Sequence, residues 1–168
     1  IVEKFSDNDD KALELFNAAY ERNGNKKIKI ELTYFEGQEA MKRTGEVCQE
    51  KWEQLFGSDR FELVLRAVQP MQAYDNYEAG DYDLGTGVDL TNEFNMWASF
   101  VVWTSDYPNK SVPGYANEEF DKLYFDCMYG ELLNDPDARI DALAKMEEML
   151  MDYCVFIPTM QNNNTWLV

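Results

Sequence analysis

The clearest hydrophobic pattern in the chain is a strict alternation over residues 27–35, KIKIELTYF. Every second residue is apolar, which places four side chains on one face of an extended segment: Ile28, Ile30, Leu32 and Tyr34. The opposite face carries lysines, Glu31 and Thr33. This alternation predicts a strand that is buried on one face and solvated on the other.

Helical and extended patterns follow one another along the rest of the chain. We predict helices at 9–24, 38–57, 72–80, 117–130 and 135–153, and strands at 61–68, 82–88 and 155–158. Asn117 and Asp135 stand where helix N-caps are expected. Strands that alternate with helices predict an α/β fold, with a mixed, mostly parallel sheet flanked by helices.

The stretch from 89 to 114 has no clear period but is rich in aromatic residues. They recur at about every third position: Phe94, Trp97, Phe100, Trp103 and Tyr107. This spacing is more typical of helical turns that cover a core than of an aromatic binding site. We therefore expect packing as the main role of Trp97 and Trp103, with one of them possible as a wall of a ligand cleft.

Charge and composition exclude several classes of function. The chain of 168 residues has a net charge of −17, which argues against nucleic acid or an anionic membrane as a partner. It contains no histidine, so a Ser-His-Asp triad and the commonest zinc ligand are absent. Its three cysteines form no CxxC pair. GTG at 85–87 lacks the third glycine of a dinucleotide fingerprint. We predict no enzyme activity, metal or cofactor.

The start of the chain, IVEKFSDND, does not have the pattern of a signal peptide and does not begin with an initiator methionine. The longest apolar run, residues 97–103, is too short to cross a bilayer. We expect either that a leader has been removed or that the sequence is a piece of a longer protein.

The order of the segments resembles the C-terminal lobe of the extracytoplasmic oligopeptide- and dipeptide-binding receptors of ABC importers. The similarity spans nearly the whole chain, and no single piece of it is specific. It is carried by DDKALELFNAAYERNG, KIKIELTYFEG, EVCQEKWEQLFG, FELVLRAV, AYDNYEAGDYDLGTG, GYANEEFDKLY, DPDARIDALAKMEEMLMDY and VFIPTMQNNNTWLV.

The resemblance implies one lobe of a two-lobed clamp of the type II periplasmic-binding-protein kind. Residues 1–168 would then form a single C-terminal ligand-binding lobe, and the N-terminal lobe and signal peptide would be absent from this sequence. The implied function is to bind oligopeptides by clamp closure and to deliver them to the permease subunits. The implied location is extracytoplasmic, with a lipid anchor on the complete protein as its contact with the membrane.

Family receptors for peptides carry a Gly-Trp-x-x-Asp loop whose aspartate binds the α-ammonium group of the ligand. By eye, residues 103–107 fit this form, which makes Asp106 a candidate. Counting from the GDYDL segment without gaps instead places the family tryptophan on Asp89 and the family aspartate on Asn92. The count favours Asp89 or Asn92 over Asp106. A neutral amide at Asn92 would weaken the charge-assisted bond by about 1 kcal/mol or more.

Two further candidates lie at the end of the predicted strand that precedes this loop. The backbone groups of Thr86 and Gly87 could contact a peptide main chain, because ligands of α/β folds bind at the carboxyl ends of strands. Three alternatives stay open. They are a non-peptide solute such as an oligosaccharide, opine or metal chelate, a hydrolase that uses paired carboxylates, and an interaction module that uses its acidic surface.

Overall fold

The computed structural model describes residues 8–86, 96–108 and 114–157. The elements are α1 Asp9–Arg22, β1 Ile28–Phe35, α2 Glu39–Phe56, β2 Phe61–Val68, α3 Pro70–Ala79, β3 Leu84–Gly85, a 3-10 helix Met96–Trp103, α4 Glu118–Met128 and α5 Pro136–Asp152. The chain divides into two compact units. One comprises Ile1–Thr91 with Pro108–Gly114, and the other comprises Asn92–Tyr107 with Tyr115–Val168.

The first unit is built on a three-stranded sheet in which β1 is the central strand. The strand order is β2-β1-β3, and both pairings are parallel. Ile28 lies opposite Phe61 in the first pairing, and Leu32 lies opposite Leu84 in the second. The predicted α/β class with a parallel sheet flanked by helices is therefore confirmed.

One face of this sheet packs against α1 and α2. The buried centre of this cluster consists of Phe16, Leu32, Phe61 and Leu63. The rings of Phe16 and Phe56 stack with their centroids 4.4 Å apart, which joins the two helices above the sheet. These contacts use the apolar face that the alternation in β1 predicts.

The other face of the sheet is covered as well, at its carboxyl end. There α3 packs on β1, and the buried residues are Phe35, Val68, Ala73 and Tyr77. Thr33 is only 2% exposed. The prediction that β1 is solvated on one face is therefore wrong for its second half. In a parallel sheet the connecting helices cover both faces, so a central strand such as β1 is buried on both of them.

The second unit consists of the 3-10 helix, α4 and α5. Asn117 caps α4 by accepting hydrogen bonds from the backbone N–H groups of Glu119 and Phe120, at 3.0 and 3.1 Å. Asp135 caps α5 by accepting a 3.1 Å hydrogen bond from the N–H of Ala138. Both predicted caps are confirmed. The core side chains shared by α4 and α5 are fully or almost fully buried: Phe120, Cys127, Ala142, Met146 and Leu150.

The predicted strand at 155–158 is wrong over residues 155–157, which have no strand structure. The chain instead closes α5 with a tight turn. The N–H of Cys154 donates to the carbonyl of Met151, and that of Val155 donates to the carbonyl of Leu150, both at 3.0 Å. Cys154 takes a positive φ of 59° to do so. These bonds satisfy the end of the helix rather than a sheet.

No helix within the described residues is long and apolar enough to cross a membrane.

Candidate functional site

All three strands end at the same edge of the sheet, because every pairing is parallel. This carboxyl edge brings together the residues that follow β1, β2 and β3, namely Glu36, Gln69 and Thr86. The N–H of Glu36 continues the ladder by donating to the carbonyl of Val68 at 2.8 Å. In open α/β sheets, ligands bind outside this edge.

The connections after β1 and β2 leave the sheet on opposite faces. α2, which follows β1, contributes Trp52 to the cluster around Phe16, whereas α3, which follows β2, contributes Ala73 to the cluster on the other face. In this strand order the winding reverses between β1 and β3, and folds of this kind bind ligands at that switch point. On the other side of β1, the side-chain amide of Gln69 donates a hydrogen bond to the carboxylate of Glu36.

Thr86 is held at the same edge by three contacts. Its N–H donates to the carbonyl of Thr33 at 2.8 Å, and its carbonyl accepts a 3.1 Å hydrogen bond from the hydroxyl of Tyr77. Its hydroxyl lies 3.4 Å from the sulfur of Met41. Both the N–H and the carbonyl of Thr86 thus form hydrogen bonds within the unit.

Asp83 extends the short pairing between β1 and β3. One of its carboxylate oxygens accepts a 2.9 Å hydrogen bond from the backbone N–H of Glu31, just ahead of the point where Leu84 pairs with Leu32. Because β3 has only two residues, this side chain supplies the next bond of the ladder. Asp83 therefore helps to fix the direction in which the chain reaches Thr86.

Trp97 has a packing role in the second unit. Its indole N–H donates to the carbonyl of Arg139 at 2.9 Å. The guanidinium carbon of Arg139 lies 3.9 Å from the centroid of the indole ring, which is a close cation–π contact. Trp103 stacks on a different residue, Phe156, with centroids 5.9 Å apart. Both observations agree with the packing role that the aromatic spacing predicts.

Asp106 lies in the turn that follows the 3-10 helix. The turn is anchored to α4, because the carboxylate of Asp121 accepts a 2.8 Å hydrogen bond from the N–H of Ser105. The side chain of Asp106 is exposed, and it forms no ion pair with the residues that the structure describes. Asp106 thus shares the second unit with Trp97 and Trp103, whereas Thr86 belongs to the first unit.

Gly87, Asp89 and Asn92 lie outside the described residues, so the choice between Asp89 and Asn92 stays a prediction. The sequence pattern had not pointed to Glu36, Gln69 or Tyr77. Glu36 and Gln69 each directly follow a predicted strand, which is the signal that could have identified them. Nothing in the sequence connects Tyr77 with Thr86.

A groove of about 590 Å³ lies along the outer edge of β2 and is separate from the carboxyl edge. It is lined by Lys27, Gln49, Glu53, Ser58, Glu62, Leu63, Val64 and Leu65. Two side chains of α2 cover the backbone of Leu63 here. The amide of Gln49 donates to its carbonyl at 2.5 Å, and the carboxylate of Glu53 accepts from its N–H at 3.1 Å. We interpret this arrangement as protection of an edge strand.

Within residues 8–86, 96–108 and 114–157, no group of three or more Cys, Asp or Glu side chains is arranged to hold a metal ion. Burial raises the pKa of the Cys48 and Cys127 thiols, so neither is a ready thiolate nucleophile. The carboxyl edge instead offers hydrogen-bonding groups and one carboxylate, that of Glu36.

Neither protein-family models nor curated protein sequences give a match to the chain. Solved structures do. The substrate-binding domain of an oligopeptide ABC transporter from Bacillus anthracis str. Ames matches 85% of the chain with a TM-score of 0.70 and 19% identity. A periplasmic oligopeptide-binding protein from Borrelia burgdorferi matches 86% with a TM-score of 0.70 and 18% identity. Haemophilus influenzae OppA, in complex with the peptide RPPGFSPFR, matches 84% with a TM-score of 0.64 and 23% identity.

The match covers only 27%, 28% and 26% of these three proteins, so the chain spans about a quarter of their length. The first two are substrate-binding or oligopeptide-binding proteins, and the third is in complex with a peptide. At these identities, the similarity shows the fold. The chain therefore has the fold of part of the type II periplasmic-binding-protein-like substrate-binding proteins.

Proposed function

We propose that this chain is the C-terminal lobe of a substrate-binding protein that captures oligopeptides for an ABC importer. The observation that carries the proposal is the carboxyl edge of the sheet, which carries Glu36 and Gln69 on the β2 side of β1 and Thr86 at the switch point between β1 and β3. This edge lies within a fold shared with oligopeptide-binding proteins. The hydrogen-bonding groups there suit the main chain of a peptide, which is the same for ligands of varied sequence.

Capture works by closure of two lobes around the ligand. This chain supplies one wall of the cleft, and an N-terminal lobe supplies the other. The ligand contacts both walls only in the closed state, so its binding free energy favours closure. The closed protein then delivers the peptide to the permease subunits on the outer side of the membrane, where a lipid anchor retains the complete protein.

The ligand's α-ammonium group requires a carboxylate that can pair with it after water has been excluded. Asp89 is our first choice, since it lies within three residues of the position expected from the resemblance. Asn92 would offer only a neutral oxygen, and Asp106 is an exposed carboxylate in the second unit. The alternative ligand is a non-peptide solute, which is favoured if Asn92 occupies the ammonium position.

The clamp is tested by comparing this chain with the product of the complete open reading frame that encodes it. Isothermal titration calorimetry with a library of unblocked tri- to hexapeptides should show tight binding by the complete protein. We expect weak or undetectable binding by residues 1–168 alone. Nanomolar binding by residues 1–168 alone would rule out the clamp.

The ammonium contact is tested with Asp89→Asn in the complete protein. We expect it to weaken binding of unblocked peptides by about tenfold or more and to leave N-acetylated peptides unaffected. Asp106→Asn removes the same charge from another loop and is the matched control. A larger loss of affinity in the Asp106→Asn control would show that Asp106, rather than Asp89, binds the ammonium group. Mass analysis of the recovered peptides checks for cleavage, which a hydrolase would produce and a binding protein would not.

A further inference from the structure

Tyr77 connects the interior of the first unit with the chain that leaves β3. Its side chain is 5% exposed and belongs to α3, whereas its hydroxyl donates to the carbonyl of Thr86 at 3.1 Å. The N–H of Thr86 donates a hydrogen bond to the carbonyl of Thr33. Thr86 is therefore held from both sides, by the central strand and by a helix.

The position of the Tyr77 ring depends on the absence of a side chain at Gly85. A Cβ atom at residue 85 would lie 2.5 Å from one ring carbon of Tyr77 and 2.8 Å from its hydroxyl oxygen. Atoms cannot approach this closely, so any larger residue would displace the ring or the strand. Glycine at this position permits the hydrogen bond between Tyr77 and Thr86.

The surroundings of Tyr77 keep the ring in one place and the hydroxyl protonated. Tyr82 packs edge-on against it with centroids 4.9 Å apart, and Tyr74 does so at 6.1 Å. Burial, with smaller contributions from Tyr74 and Tyr82, raises the pKa of Tyr77 to about 12. At neutral pH the phenol is therefore a hydrogen-bond donor.

We propose that Tyr77 is a positioning residue, which fixes Thr86 at the carboxyl edge for ligand binding by holding its carbonyl. This inference rests on the proposed function, because Thr86 lies at the carboxyl edge where we place the ligand. Tyr77 acts through Thr86 and need not touch the ligand. Gly85 contributes by leaving space for the ring of Tyr77.

The test uses Tyr77→Phe in the product of the complete open reading frame. Amide hydrogen exchange, read by mass spectrometry on peptides that cover 80–88, should become about threefold to tenfold faster, which corresponds to one lost hydrogen bond. Exchange in β2 should stay unchanged. Tyr74→Phe is the control, because it removes a hydroxyl from a neighbouring ring that is 45% exposed. Unchanged exchange at 80–88 in Tyr77→Phe would overturn the proposal.

Affinity for the unblocked peptide library supplies the second measurement. We expect Tyr77→Phe to weaken it by about the same factor as it speeds exchange, and Tyr74→Phe to leave it unchanged. Gly85→Ala should reproduce the effect, and adding Tyr77→Phe to it should cause little further loss. Faster exchange with unchanged affinity would overturn the link to binding. Faster exchange in a protein that binds no peptide would support the positioning of Thr86 and reject the proposed function.

Discussion

At the scale of single residues, Trp97 illustrates how a candidate ligand-binding side chain can be occupied by packing. Its indole N–H bonds to the carbonyl of Arg139, and the guanidinium group of the same residue covers its ring. Both polar and aromatic features of the tryptophan are therefore used inside the second unit. A spacing of every third residue predicted packing, but the partner could not be read from the sequence, because Arg139 is 42 residues away.

The role of Trp97 can be tested with Trp97→Phe. The change removes the hydrogen bond and weakens the cation–π contact, so the free energy of unfolding should fall by about 1 to 2 kcal/mol. Urea denaturation measures this fall. Peptide affinity should not change. Trp103→Phe, which keeps an aromatic ring against Phe156, should cost less stability. Loss of affinity at full stability would show that Trp97 lines the cleft.

Tyr77 also gives the first unit a dependence on alkaline pH. In the unfolded chain this phenol ionises near its ordinary pKa of 10, whereas in the folded protein it keeps its proton up to about 12. The free energy of unfolding should therefore fall as the pH rises through this window, and be insensitive to this group below pH 10. Tyr77→Phe should make that fall shallower. Tyr74→Phe should retain most of the fall, because burial is the main cause of the raised pKa of Tyr77, and an equal slope in all three proteins would contradict the assignment.

At the scale of elements, the sequence was most informative where a local rule decides the structure. The alternation in β1 and the N-caps Asn117 and Asp135 all depend on neighbours within a few residues. The burial of Thr33 depends on partners elsewhere in the chain, whereas residues 154 and 155 end α5 with local bonds that the sequence pattern does not reveal. A short apolar run such as VFI fits a strand or a helix-terminating turn, and only the bonds of Cys154 and Val155 to α5 decide between them.

The edge of β2 offers a test at this scale. Gln49 and Glu53 occupy the outward backbone groups of Leu63, which would otherwise be free to pair with another strand. The double change Gln49→Ala and Glu53→Ala should cause concentration-dependent self-association, visible by analytical ultracentrifugation. Glu50→Ala removes the same charge from an exposed position of α2 and is the control. Equal self-association of the two variants would show that Gln49 and Glu53 do not protect the edge of β2.

At the scale of the whole molecule, the order of segments was enough to predict the fold class. Each helix and strand has its own pattern, and strands that alternate with helices leave few arrangements. The site was harder to predict. Thr86 follows from the rule that ligands bind at strand ends, but the meeting of Glu36 with Gln69 requires the register of β1 and β2. Tyr77 could not be predicted, because its contact depends on the space left by Gly85.

The central claim is that this chain forms part of a receptor for oligopeptides. Its most direct test is native mass spectrometry of the complete protein, purified without refolding, so that a ligand from the cell stays bound. We predict a ladder of additional masses that corresponds to a mixture of peptides, since main-chain recognition accepts varied sequences. A single additional mass from a non-peptide solute would contradict the peptide assignment.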